Sequence, residues 1–330
     1  MKRFGKLTKA TTLAVAIAAG FGASTSAQAG ALATSILDVS QFSINFTSTG
    51  LEVPISTFGG ALITDSGKNV ASLNGFPTQT VTGTQNGGGT FDLAAACVGV
   101  VCPAVNTFTH SAPGSISPNQ YAWADSLVTG APVTGLSTNP GDPKARAVTG
   151  AEVKLSGTGT GGGLSNLSLL TTFAFTTTAA VSFTFDFLAN LYERAFLGAN
   201  SNIGFSSADA GAHLTFKIQQ ATGPGQLTTI FNWAPNGQSG GITGGTELFD
   251  EFDLQQNTAV TLPGFDSIVD SLGNKHFAAS VNLGTGNYIF SVDHGVVANA
   301  ALQIPEPGSL ALAGVALLAL VGSRRNKKAA

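Results

Sequence analysis

Residues 181–188 set the first constraint on this chain: Val181, Phe183, Phe185 and Phe187 alternate with Ser182, Thr184 and Asp186. Only an extended strand puts every second side chain on one face; a helix would scatter them around its surface. The segment is therefore predicted as a strand with one buried face. The same period recurs at Phe42, Ile44 and Phe46, at Val153 and Leu155, and at Leu214, Phe216 and Ile218. Helical periodicity is nearly absent. Late in the chain, Phe277, Ala279, Val281 and Leu283 lead through Gly284-Thr285-Gly286-Asn287 into Tyr288, Phe290 and Val292. Two alternating runs joined by a short Gly-containing turn predict a β-hairpin. Many short strands spaced by Gly-rich and Asn-rich turns predict an all-β fold, an antiparallel β-sandwich of jelly-roll-like kind. A parallel α/β architecture does not fit, because its crossovers need helices.

The two ends of the chain break this pattern. Lys2, Arg3, Lys6 and Lys9 precede an apolar run over residues 13–23, and Ala27-Gln28-Ala29 places small residues ahead of a cut before Gly30. That is the layout of a secretory signal peptide spanning residues 1–29, handled by Sec machinery and signal peptidase. At the other end stand Pro305, Glu306 and Pro307, then an apolar stretch over residues 310–321, then Arg324, Arg325, Lys327 and Lys328. The two prolines lack amide donors and restrict φ, so this hinge is expected to stay extended and open to a protease. The 16 residues 308–323 predict a short transmembrane helix of roughly 24 Å, less than the roughly 30 Å hydrocarbon core. The basic end should remain cytoplasmic, which leaves the hinge on the outer face.

Hinge, short apolar segment and basic end, in that order, resemble the PEP-CTERM sorting signal of Gram-negative bacteria. Ile304 stands where valine is frequent, and Asn326 interrupts the basic run. The resemblance covers only residues 304–330. It implies recognition by an exosortase, a transpeptidase-like intramembrane enzyme that cuts near Pro-Glu-Pro and releases or transfers its substrate. The implied route is transient inner-membrane insertion through the tail, then the cell surface or the extracellular space. Bacteria with such proteins commonly secrete exopolysaccharide.

Between the addresses lie residues 30–303, 274 residues, enough for one large β domain or two smaller ones. Denser strand patterning in the second half places a possible subdivision near residue 150. Residues 80–90, 106–120, 130–143 and 157–163 are rich in Gly, Ser, Thr, Asn and Pro and read as loops. This central part has seven Lys and Arg against seventeen Asp and Glu, a net charge of −10. That balance argues against nucleic acid and anionic lipid as partners, since both need clustered cations.

The only cysteines, Cys97 and Cys102, are predicted to form a local disulfide in oxidising surroundings. A metal site would need two further ligands, and the nearest histidine in sequence, His110, is eight residues from Cys102. Glu247, Asp250, Glu251 and Asp253 form the densest acidic cluster. Asp250, Glu251 and Asp253 are the candidate ligands for a structural Ca²⁺, although EF-hand spacing is missing and a solvated edge is the simpler reading. The run Gly157-Thr158-Gly159-Thr160-Gly161-Gly162 satisfies G-x-G-x-x-G but lacks the following helix of a dinucleotide site.

No nucleophile elbow, zinc-protease helix or Cys–His signature occurs, so no catalytic residue is assigned. His110, His213, His276 and His294 are scattered. Tyr121, Trp123 and Trp233 are candidates for stacking on sugar rings, against core packing as the plainer role. The expected function is an exported, non-enzymatic surface or matrix protein associated with exopolysaccharide or biofilm. A carbohydrate-binding module and a secreted hydrolase are the alternatives.

Overall fold

The computed structural model describes residues 29–48, 51–52, 62–86, 89–112, 120–130, 144–168 and 172–304. The strands form two antiparallel sheets. The first holds β1 (Ala31–Ser48), β2 (Leu51–Glu52), β5 (Phe91–Gly99), β6 (Tyr121–Thr129), β7 (Ala145–Leu155), β10 (Val181–Leu197), β14 (Thr246–Asp250), β16 (Asp266–Asp270) and β17 (Lys275–Leu283). The second holds β3 (Leu62–Leu73), β4 (Gln79–Asn86), β8 (Gly159–Ser168), β9 (Thr172–Thr177), β11 (Ser207–Gly223), β12 (Gln226–Trp233), β13 (Ile242–Thr243), β15 (Asn257–Val260) and β18 (Gly286–Leu302). Their central orders are β14-β17-β10-β1-β7-β6-β5 and β13-β12-β11-β18-β8-β3-β4. In the first sheet β5, β6 and β7 are consecutive antiparallel neighbours and β7 returns beside β1, a Greek-key path.

Burial alternates along all of β10, well beyond the stretch legible as Phe-x-Phe. Its inward Phe183, Phe185 and Phe187 meet Phe216, Phe231, Trp233 and Phe290 of the second sheet, with Phe185 and Phe216 centroids 4.9 Å apart. β1 changes phase midway. Leu37 and Val39 point inward before Gln41, and Phe42, Ile44 and Phe46 after it. The register shifts there against both neighbours, and Gln41 has φ 53°. The extra residue of this bulge lets both halves of an 18-residue strand face the core.

Four expectations are corrected. Residue 150 lies inside β7, between β1 and β6, and both sheets draw strands from both halves of the chain, so it does not divide there. β17 and β18 do not form a hairpin: β17 pairs with β10 in one sheet and β18 with β11 and β8 in the other. Alternation tells that each strand has a buried face, not whether two strands pair at their edges or face each other across the core. Residues 79–86 form the outlying strand β4, whose Thr-rich and Gln-rich sequence is polar because it is largely exposed. The glycine run continues into β8. A Cβ on Gly163 would lie 2.5 Å from Trp123 O, and one on Gly161 2.7 Å from Val153 Cγ1. These glycines let two sheets approach closely where they had suggested a loop.

Candidate functional site

Both ends of the described domain lie at one pole. After β18, Gln303 N donates to Ser206 Oγ (3.0 Å), Asn202 N donates to Gln303 O (2.8 Å), and Ile304 N donates to Thr158 Oγ1 (3.1 Å). Gly198 N donates to Gly30 O (2.8 Å), and Ala31 pairs with Leu197 on one side and Leu155 on the other. Loop 198–206 therefore touches both the segment ahead of β1 and the segment after β18. Loop 261–265 packs beside it, with Leu197 N donating to Phe265 O (3.0 Å) and Gly264 N to Leu197 O (2.8 Å). Loop 74–78 joins through Asn74 N, which donates to Thr160 O (2.8 Å).

A second structured region begins at the disulfide joining Cys97 and Cys102, whose Cα atoms are 6.0 Å apart. From there residues 103–112 run as a strap over the outer face of β6, β7, β1 and β10. Asn106 N donates to Asp125 Oδ2 (2.7 Å), Phe108 packs on Trp123 at 6.1 Å, and His110 stacks on Tyr192 at 3.9 Å. Ser111 donates to Glu152 through both its amide (3.0 Å) and its hydroxyl (2.6 Å). Thr34 Oγ1 and the Tyr121 hydroxyl also donate to Glu152. Burial, reinforced by the Glu152 charge, pushes the Tyr121 hydroxyl well above its usual pKa.

The strap corrects the sugar-stacking assignment. Tyr121 is 6% exposed, Trp123 1% and Trp233 0%. Trp123 lies over Gly150, where a Cβ would be 2.9 Å from its ring, and Phe108 closes over it. Trp233 is an inner-face residue stacked on Phe216 and donating its indole N–H to Glu247 (3.0 Å). No ring face of the three is free for a sugar.

Residues 303–325 match the PEP-CTERM protein-sorting motif. The tail is a PEP-CTERM sorting signal. The motif starts one residue after β18 ends, and it marks an exported exosortase substrate that passes through a membrane-anchored intermediate. No curated protein and no solved structure matches the chain. Of the PEP-CTERM residues named from sequence, Pro305, Glu306, Pro307, Arg324, Arg325, Lys327 and Lys328 lie outside the described residues, as does Ala27. Among the described residues no helix is long and apolar enough to cross a membrane. Ala29 is buried immediately ahead of β1.

The candidate Ca²⁺ ligands do not converge. Asp250 accepts from Asn236 N (3.0 Å) and Gly237 N (3.1 Å), Glu251 from His276 N (2.8 Å), and Asp253 from Gln255 N (2.8 Å). Neighbours in sequence, they are spent on separate backbone amides. Among the described residues no group of three acidic, His or Cys side chains could hold a metal. The scattered histidines acquire partners instead: His276 with Asp186 (2.7 Å), His213 with Asp293 (3.2 Å), and buried His294 with the Thr149 hydroxyl (3.1 Å).

Sequence reading missed two features. One is a set of buried acids. Glu193, inward on β10, is fully buried, and burial pushes its carboxyl up to about 8. Asp125 is pushed up to about 6 by burial, which the amides of Asn106 and Ser126 partly offset. The signal for Glu193 was an acid in phase with Phe187, Ala189 and Leu191. The other is a group of exposed apolar residues in Gly-rich and Pro-rich loops at the exit pole.

Proposed function

We propose that the chain is an exported structural protein of the cell surface or extracellular matrix, delivered by exosortase processing and associated with exopolysaccharide or biofilm. The observation that carries this reading is the PEP-CTERM signal at 303–325, which follows directly on the last strand of a filled sandwich. The Greek-key path of β1, β5, β6 and β7 supports the jelly-roll-like form of that sandwich. A structural role suits a domain whose large rings pack against one another instead of lining a site. The Cys97–Cys102 bridge suits an oxidising destination.

Signal-peptide removal before Gly30 is part of the same proposal. Ala29 is buried, and the strand after it is held between β7 and β10. The cut would therefore occur before β1 docks, while the segment is still unpaired. Intact-mass spectrometry of the protein from cells and medium, with and without the host exosortase, tests the whole route. The expected result is a species starting at Gly30 and lacking the region after Pro307 only when the enzyme is present. A full tail in both strains would overturn it.

A further inference from the structure

The exit pole is apolar on its outside. Ile203 is 70% exposed, Phe205 68%, Phe265 58%, Leu262 51%, Val100 71% and Phe76 47%. They sit on loops brought to one end of the sandwich by the contacts around Gly198, Leu197 and Asn74, and Val100 follows Gly99, which pairs with Tyr121 opposite the end of β7. Single exposed apolar residues are ordinary, but a cluster on one end is a contact surface.

Charge distribution gives an independent observation. Loops 74–78, 99–103, 156–158, 198–206 and 261–265 contain no Asp, Glu, Lys or Arg, in a domain that carries seventeen acidic residues. The net charge that argues against anionic lipid is thus absent from the loops of this end. The tail adds a third. Six Cα steps from Ile304 to Leu310 reach at most about 22 Å, and the headgroup layer takes up roughly 5–8 Å of that.

From these we propose that, in the membrane-anchored intermediate, the exit pole docks on the outer surface of the bilayer that the tail enters, with Ile203, Phe205, Leu262 and Phe265 in the interfacial layer. The proposal rests on the reading of residues 310–321 as the membrane segment. Tethering holds the pole at high local concentration, so a surface too weak to bind lipid alone is sufficient. Docking would stand the sandwich upright, with its far end away from the lipid and the hinge held at the bilayer surface.

Bromolipid quenching tests this on the full chain reconstituted in phosphatidylethanolamine/phosphatidylglycerol vesicles. Trp123 and Trp233 are buried and give a constant background. Phe205→Trp reports on the pole, Phe265→Trp repeats the reading from the neighbouring loop, and Leu227→Trp reports from the far end of β11 and β12, about 50 Å away along the strands. An interfacial ring lies about 5–10 Å into the headgroup boundary, so emission added by Phe205→Trp should fall roughly twofold while that added by Leu227→Trp is unchanged. Adding Ile203→Ser and Phe265→Ser to the Phe205→Trp chain should remove the quenching. A tail that resists carbonate extraction with neither probe quenched overturns docking while leaving the tail reading intact. Extraction of the chain by carbonate overturns the tail reading, and docking with it. Cross-linked dimers without quenching would assign the pole to a second copy instead.

Discussion

The interior of the sandwich and the pole from which the PEP-CTERM tail leaves are both rich in large apolar side chains, and only the interior hides them. Phe185 contacts five aromatic rings across and along the sheets. Phe205, one loop from the chain's exit, remains mostly exposed. The difference separates two uses of one chemistry. Inside, apolar area removed from water holds the fold together; at the pole, the same kind of area is left for whatever meets that end. The comparison breaks if removing the aromatics of the pole's loops destabilises the domain as removing core aromatics does.

The largest effect is expected inside. Phe185→Ala should cost about 3–5 kcal/mol in urea denaturation, because the surrounding rings cannot collapse into the space it leaves. A loss below about 1 kcal/mol would mean the two sheets repack freely, and the interior would then be no more specified than the pole.

The acid in the interior sharpens the contrast next. Glu193 has its carboxyl pushed from 4.5 up to about 8, by burial first and then by the Asp253 charge, while the Ala212 amide opposes the shift. With the folded pKa above the unfolded one, its contribution is fully present below pH 4.5 and is lost as pH rises through about 8. Within that window stability should decline by about 1.4 kcal/mol per pH unit. Asp125, pushed up to about 6, acts in the same direction; His294, pushed down to about 3, acts oppositely as pH falls below 6.5. The difference between wild type and Glu193→Gln isolates the one group. Parallel pH–stability curves for the two would show that Glu193 is hydrated or paired in solution.

How much of this was legible follows from what periodicity encodes. The two-residue pattern around Phe183 and Phe185 gave strands and an inward face, because burial on one side is a local property of the sequence. It could not separate a hairpin from an arch at Gly284-Thr285, since both leave the same faces buried. It also could not foresee that residues 103–112 fold back over Trp123, because a strap is defined by tertiary contacts alone. Glycines misled in the opposite way: Gly161 and Gly163 read as flexibility but serve close approach between sheets. The tail was legible because a sorting signal must be readable as a linear segment. The exit pole was not, because its residues come from loops scattered between Phe76 and Phe265 and meet only in the fold.

Smaller effects are expected towards the pole. Replacing both Cys97 and Cys102 with Ser removes a bridge across a sequence separation of 5, so the loss should be at most about 2 kcal/mol. The readout is the urea midpoint, with Ser111, Tyr121 and Glu152 still able to hold the strap. A larger loss would show that the strap depends on the bridge, tying the Trp123 cover to the edge of the pole.

Ile203→Ser and Phe205→Ser should change stability least, by no more than about 0.5 kcal/mol each, since exposed side chains lose little contact on truncation. Thermal melts of the variants decide this independently of any membrane. A near-zero change combined with lost lipid quenching would show that these side chains serve the anchored state alone. A loss of 2 kcal/mol or more from either variant would overturn that division. Ile203 and Phe205 would then be core residues of a pole packed against some part of the chain, and their exposure would no longer argue for a surface at all.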